Sequence, residues 1–224
     1  MQPVMIKAKT LPEAWFLCIH ELLEEPRIYR KEGYGIHRYT IDRGSFEGHQ
    51  RIEFDHITIH VEYPGSRPLV PDVPLGIPAP TTQEYIEGYL PYLMCGVKTE
   101  NEDYTYGKDL EEQIPQVIEM YKNNGHNTNQ AFMAVGSKDS IRLKDPQCLR
   151  GVDTRIQDGK LHFIVYFRSW DLWGGFPANL GGIQILKEYM ASEIGVEDGE
   201  LIAASKGLHL YDHCWDLAKG VLRR

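Results

Sequence analysis

The sequence predicts a mixed α/β (α+β) fold, a mixed sheet packed with helices in a single domain over residues 1–224. Three observations carry this reading. The chain has 224 residues, 42% of them hydrophobic, which is enough to bury a sizeable core in one domain. Apolar residues fall at positions 11, 14, 15, 18, 19, 22 and 23, which is helical spacing. Two strand-like runs, Gly151–Gln157 and Lys160–Phe167, flank Asp158-Gly159, a pair that tolerates the positive φ a tight hairpin needs.

In chain order, Met1–Lys9 reads as a short strand. Thr10, Pro12 and Glu13 suit the start of a helix over Leu11–Glu24. Ile36–Ile41 and Arg51–Tyr63 read as strands, because Ile57, Ile59 and Val61 alternate with Thr58 and His60. Residues 64–80 are rich in proline and read as an ordered surface connection in which Leu69, Val70, Val73, Leu75 and Ile77 can pack. Thr82–Met94 reads as a helix weakened by Gly88 and Pro91, and Glu111–Asn123 as another closed by Gly125. Gln130–Val135 is a strand, Asn179–Ile194 the clearest helix, and Leu201–Ala204 a short strand leading to His209. No internal repeat is present.

The charge balance, 24 basic against 32 acidic residues, gives a net charge of −8. That argues against a general nucleic-acid or membrane-surface binder, but not against a small phosphate site needing one or two local cations. The four cysteines, Cys18, Cys95, Cys148 and Cys214, show no CxxC spacing. They read as reduced thiols of a cytoplasmic protein, with no zinc site and no disulfide framework. No signal peptide and no apolar span of ~20 residues is evident, so no membrane partner is expected.

The hairpin brings two chemical groups together. If Asp158 and Gly159 are the loop, Gln157 faces Lys160, and extending the ladder sets Cys148 opposite Ser169, beside Arg168. A bulge would shift that register. A guanidinium near a thiol favours the nucleophilic thiolate, so Cys148 is expected to be activated by Arg168. With Ser169 beside it, Arg168 also reads as a clamp for an anionic substrate. Cys18, Cys95 and Cys214 read as buried small hydrophobes.

From this point the motifs follow in order: Pro146-Gln147-Cys148, the Asp158-Gly159-Lys160-Leu161 hairpin, Tyr166-Phe167-Arg168-Ser169-Trp170-Asp171, Gly175-Phe176-Pro177-Ala178-Asn179, a helix, then His209-Leu210-Tyr211. Across roughly residues 103–216 the order and spacing resemble the thymidylate synthase family, which also includes pyrimidine hydroxymethylases. Each motif is weak alone; the ordered set is specific. The resemblance implies a thymidylate synthase-like fold, a dUMP substrate and reductive methylation to dTMP through a Cys148 adduct. It implies no metal. The one-carbon donor would be a reduced pterin, methylene-tetrahydrofolate or methylene-tetrahydromethanopterin.

The resemblance also assigns roles. Asn179 would hold the pyrimidine edge, and its amide, which both donates and accepts, matches uracil better than cytosine. Asparagine is equally a favoured helix N-cap, and Asn179 stands where the clearest helix is expected to begin. Asp171 would lie near the base, and His209 and Tyr211, two apart on one strand face, would meet a sugar hydroxyl. Tyr106, in Tyr104-Thr105-Tyr106-Gly107, would lie near the proton removed from the ring. One active-site glutamate is implied on the helix carrying Glu84 and Glu87; Glu87 fits better because an apolar run follows it. Arg43, in Ile41-Asp42-Arg43-Gly44-Ser45, resembles the family's N-terminal phosphate loop.

Departures from the pattern are equally specific. The family's paired arginines, which reach a partner's phosphate site, are replaced by Asn127-Thr128-Asn129-Gln130. Leu149 stands where a histidine follows the nucleophile, and Leu110 where a tryptophan follows the Tyr-Gly motif. The tryptophan-rich insertion that shapes the folate pocket is missing, and the chain stops at Arg224, short of the family's C-terminal tail. The reduced form resembles an archaeal-type thymidylate synthase. The phosphate is then expected to be held by one chain, which leaves a monomer, or a homodimer without a shared active site. Other readings are a pyrimidine nucleotide hydroxymethylase, a non-catalytic deoxynucleotide-binding relative, and an unrelated cysteine hydrolase using His162.

Overall fold

The computed structural model describes residues 1–23, 35–44, 46–98 and 104–223. Among the described residues ten strands form two sheets. Pro3–Ala8 (β1), His56–Val61 (β4), Phe132–Ala134 (β5), Leu149–Gln157 (β6), Lys160–Phe167 (β7) and Glu197–Ser205 (β9) make a mixed six-stranded sheet in the order β1-β4-β9-β7-β6-β5. Ile36–Thr40 (β2), Gln50–Phe54 (β3), Trp170–Asp171 (β8) and Leu208–Tyr211 (β10) make a second sheet in the order β2-β3-β10-β8. The helices are Leu11–Leu23 (α1), Gln83–Met94 (α2), Gly107–Leu110 (α3), Gln113–Asn124 (α4), Gly175–Ile194 (α5) and Trp215–Leu222 (α6). The mixed-sheet expectation therefore holds; Glu24, the expected end of the first helix, lies outside the described residues.

The core sits between the large sheet and α1 and α5. Alternation along β7 buries Leu161, Phe163, Val165 and Phe167, while Ile164 and Tyr166 stay exposed on the other face. Helix α5 spans 20 residues and sinks Phe176, Leu180, Ile183, Leu186 and Met190 into this core. Gly195, with φ 86°, lets it end in a left-handed cap. Thr82 caps α2 by accepting from the Tyr85 amide at 3.1 Å.

Three local expectations are corrected. The run read as one strand, Arg51–Tyr63, is two, in different sheets. Asp55 is the pivot: its amide donates to the Gly35 carbonyl at 2.6 Å, and its carboxylate accepts from the Gln2 amide at 3.1 Å. Helix α5 begins at Gly175, four residues before Asn179, because the Asp171 carboxylate accepts from the amides of Trp173, Gly174 and Gly175 at 2.9–3.1 Å. Asn179 is therefore not the N-cap. In the proline-rich connection Leu69 is fully buried but Leu75 is fully exposed.

The hairpin forms as expected at its turn. Asp158 and Gly159 take φ 52° and 73°, and Gln157 pairs with Lys160. Between Gly151 and Leu149 the register slips by one residue. This bulge at Arg150 sets Cys148 directly opposite Arg168, whose amide donates to the Cys148 carbonyl at 2.9 Å, rather than opposite Ser169.

Candidate active site

The end of the hairpin meets the second sheet at a cleft of about 360 Å³. Cys148 and Arg168 come from the hairpin ends, Ser169, Trp170 and Asp171 from the segment running through β8, and His209 and Tyr211 from β10. Arg43 and Phe46 enter from the β2–β3 connection. Six of the anticipated substrate residues are thus brought together around Cys148: Arg168, Ser169, Asp171, His209, Tyr211 and Arg43.

Four cationic side chains line the cleft, Arg43, Arg51, Lys144 and Arg168, against two acidic ones, Asp145 and Asp171. In a chain of net charge −8 this is a local cation excess suited to a phosphate. Arg51 and Lys144 were not singled out from sequence. Arg51 reads as the ordinary polar position of a strand, and only its pairing with Tyr211 across β3 and β10 brings it to the cleft. Lys144 had a usable signal, a cation four residues before the cysteine.

Arg168 wraps the loop before Cys148. Its Nε donates to the Gln147 carbonyl at 3.1 Å, its Nη2 contacts the Pro146 carbonyl and pairs with Asp145 at 3.0 Å, and the same Nη2 stands 3.9 Å from Cys148 Sγ. Arg168 acts on the thiol in the expected direction, but it acts against burial. Burial pushes the Cys148 thiol above its ordinary value, and Arg168 and the Tyr104 hydroxyl only partly offset this. The guanidinium is also shared with a carboxylate and two carbonyls, which dilutes its effect on sulfur.

Two tyrosines close the wall behind the nucleophile. Tyr104 Oη accepts from the Cys148 amide at 3.3 Å, and Tyr106 Oη from the Leu149 amide at 3.3 Å. Their rings are 5.5 Å apart. Tyr106 is buried, and burial raises its phenol well above the ordinary range. Tyr104 is the phenol nearer the sulfur, a residue the motif reading passed over in favour of Tyr106.

His209 is almost wholly buried, and burial lowers it to about 4, so its imidazole is neutral near pH 7. Its Nδ1 lies 2.8 Å from the Gly207 carbonyl, which only accepts, so the proton is on Nδ1. Its Nε2 is buried without a partner among the described residues. A bare acceptor lining a cleft is what a ligand hydroxyl satisfies. Tyr211 packs edge-on at 4.6 Å, with its phenol raised to about 12, chiefly by burial.

Asn179 and Glu87 are not brought to this cleft. The Asn179 amide accepts from Trp170 Nε1 at 3.0 Å and donates to Tyr89 Oη at 2.7 Å, one layer behind the Trp170 wall. Glu87 sits on the exposed face of α2, accepting from Gln83 at 3.0 Å, and Glu84 is exposed as well. Asn129, where a family arginine is expected, accepts from Arg155 at 3.1 Å and lines a different depression.

Among the described residues no helix is long and apolar enough to cross a membrane. The family profile described as thymidylate synthase matches residues 94–224. The chain is 30% identical over 227 aligned positions to a protein of Methanosarcina barkeri, covering 98% of this chain and 94% of that one. A protein of Methanococcoides burtonii gives the same identity and the same coverage. Both carry the name "Putative thymidylate synthase". A "Thymidylate synthase" of Listeria monocytogenes is 32% identical over 113 residues, covering 50% of this chain and 36% of that protein.

Proposed function

The chain belongs to the thymidylate synthase family, and on that premise we propose that it converts dUMP to dTMP in the cytoplasm through a covalent adduct at Cys148. The observation that carries the proposal is the cleft itself: Cys148 forms its wall together with four cations and the unpartnered Nε2 of His209. The phosphate is held by Arg168 and Ser169, with Arg43, Arg51 and Lys144 adding charge. A sugar hydroxyl donates to His209 Nε2 and lies against Tyr211.

Sulfur of Cys148 adds to C6 of the ring as its proton departs. Electron density moves to C5 and to the O4 enolate, which a donor such as the Asn179 amide stabilises. To reach the base, Asn179 exchanges its bonds with Trp170 and Tyr89 for the pyrimidine edge. C5 takes up the one-carbon unit and loses its proton to water held by Tyr106; the carbon–nitrogen bond to the donor would then break, a hydride from the donor would reduce the resulting exocyclic methylene to a methyl, and expulsion of the Cys148 thiolate from C6 frees dTMP. Glu87 is the alternative proton acceptor; Glu87→Gln decides between the two, because it leaves turnover unchanged if Tyr106 serves.

The family's donor is of folate type, and a reduced pterin supplies both the carbon unit and the hydride. A second depression of about 420 Å³, lined by Glu84, Tyr85, Gly88, Tyr89 and Tyr92, offers aromatic faces that fit a flat pterin ring. Tyr89 joins it to Asn179 and so to the base.

The deciding experiment uses dUMP tritiated at C5. Wild-type protein with a reduced pterin should release tritium and form dTMP; Cys148→Ser should still bind dUMP and release none. Tritium release by the serine variant at the wild-type rate would remove the covalent step. Product identification separates methylation from hydroxymethylation.

A further inference from the structure

Next to the cleft, outside the residues given a role in it, two histidines and an aspartate converge. His49 precedes β3, and Asp212 and His213 follow β10 in a short 3-10 turn (Asp212–Cys214). Their ligand atoms all lie within 4.8 Å of one another. His49 Nδ1 is 3.2 Å and His213 Nδ1 3.8 Å from the same Asp212 Oδ1. Ligand bonds of about 2.05 Å at tetrahedral angles put donor atoms about 3.3 Å apart, so small side-chain rotations would complete such a set. Asp212 is already fixed, since its Oδ2 accepts from the Gln50 amide at 2.9 Å. Both imidazoles are about half exposed, which leaves outward positions to water.

We propose that His49, Asp212 and His213 bind a divalent transition ion of the zinc class. The donor set decides the class: two imidazoles and one carboxylate suit zinc, cobalt or nickel, whereas magnesium and calcium prefer all-oxygen sites. The site has a built-in consequence. The Phe46 ring packs against both imidazoles at 5.9 Å and against Tyr211 at 4.4 Å. Phe46 and Arg43 share the β2–β3 connection and line the cleft. An ion joining His49 to the turn after β10 therefore pins that connection over the phosphate end. Ion binding by these three side chains is independent of which nucleotide the cleft takes.

The test titrates the whole protein with Zn²⁺ by calorimetry, with Co²⁺ as a spectroscopic probe. Expected are one ion per chain, a cobalt spectrum without thiolate charge transfer, and a higher melting temperature with zinc. His49→Gln and His213→Gln should each weaken zinc binding at least tenfold while keeping the metal-free melting temperature. Amide exchange over residues 46–49 should slow on zinc addition in the wild type only. The site is overturned if the wild type binds no zinc at micromolar concentration, if both variants bind like the wild type, or if cobalt reports thiolate ligation. Zinc binding without slower exchange overturns the pinning.

Discussion

His209 ties stability to pH with a definite sign. Its folded value is lowered from 6.5 to about 4, so between those values the unfolded chain holds a proton that the folded protein does not. Stability from this group is fully present above about pH 6.5 and is lost as pH falls toward 4, by up to about 3 kcal/mol. Urea midpoints at pH 7 and pH 4.5 should drop less in His209→Gln than in the wild type. Equal drops would show that other groups dominate the acid limb. Base choice is the other test at this scale. Asn179→Asp should move the preference from dUMP toward dCMP, because a carboxylate accepts from the cytosine amino group where an amide donates to O4. An unchanged binding ratio would leave Asn179 as the strut between Trp170 and Tyr89. Cys148, Arg168, His209 and Tyr211 were legible because they recur in ordered motifs and face one way on strands. Arg51 and Tyr104 were not, because their places depend on pairings between distant segments.

At the scale of elements, sequence periodicity reports local geometry faithfully and says little about which sheet receives it. Buried Ile52 and Phe54 sit at even positions, while Ile57, Ile59 and Val61 sit at odd ones. That change of phase at Asp55 marks the switch of sheets, and it was present in the sequence. The bulge at Arg150 left no such mark, yet it sets Cys148 against Arg168. The packing of α2 on α5 depends on glycine. A methyl at Gly182 would stand 2.5 Å from Tyr89 Cδ1, and one at Gly181 2.8 Å from Ile86. Gly182→Ala should therefore lower stability by about 1–3 kcal/mol and disturb the Tyr89–Asn179 bond. Gly88→Ala, on the exposed face of the same helix with nothing within 4 Å, should raise stability by roughly 0.5–1 kcal/mol. Thermal melts of the pair decide this; a gain for Gly182→Ala would mean that α2 rides loosely on α5.

For the whole molecule the question is whether one chain makes a whole site. One chain brings Arg43, Arg51, Lys144 and Arg168 to the cleft, and its uncharged Asn129 lines a different depression. The large sheet leaves Met5, Phe132, Ile164 and Tyr166 exposed at 71%, 53%, 39% and 40%. Such a face allows two copies to associate, and its β7 residues Ile164 and Tyr166 lie on the strand that runs up to Arg168 at the cleft. We therefore expect tritium release per chain to be independent of association. Each chain holds the Cys148 thiol and, 3.9 Å from it, the Arg168 guanidinium, so dilution through any dimer-to-monomer transition that light scattering reports should leave the rate per chain unchanged. In a site shared between chains the rate would fall as the dimer is lost. Such a fall would mean that the partner completes the phosphate site, and that Arg43, Arg51 and Lys144 do not replace the family's arginine pair.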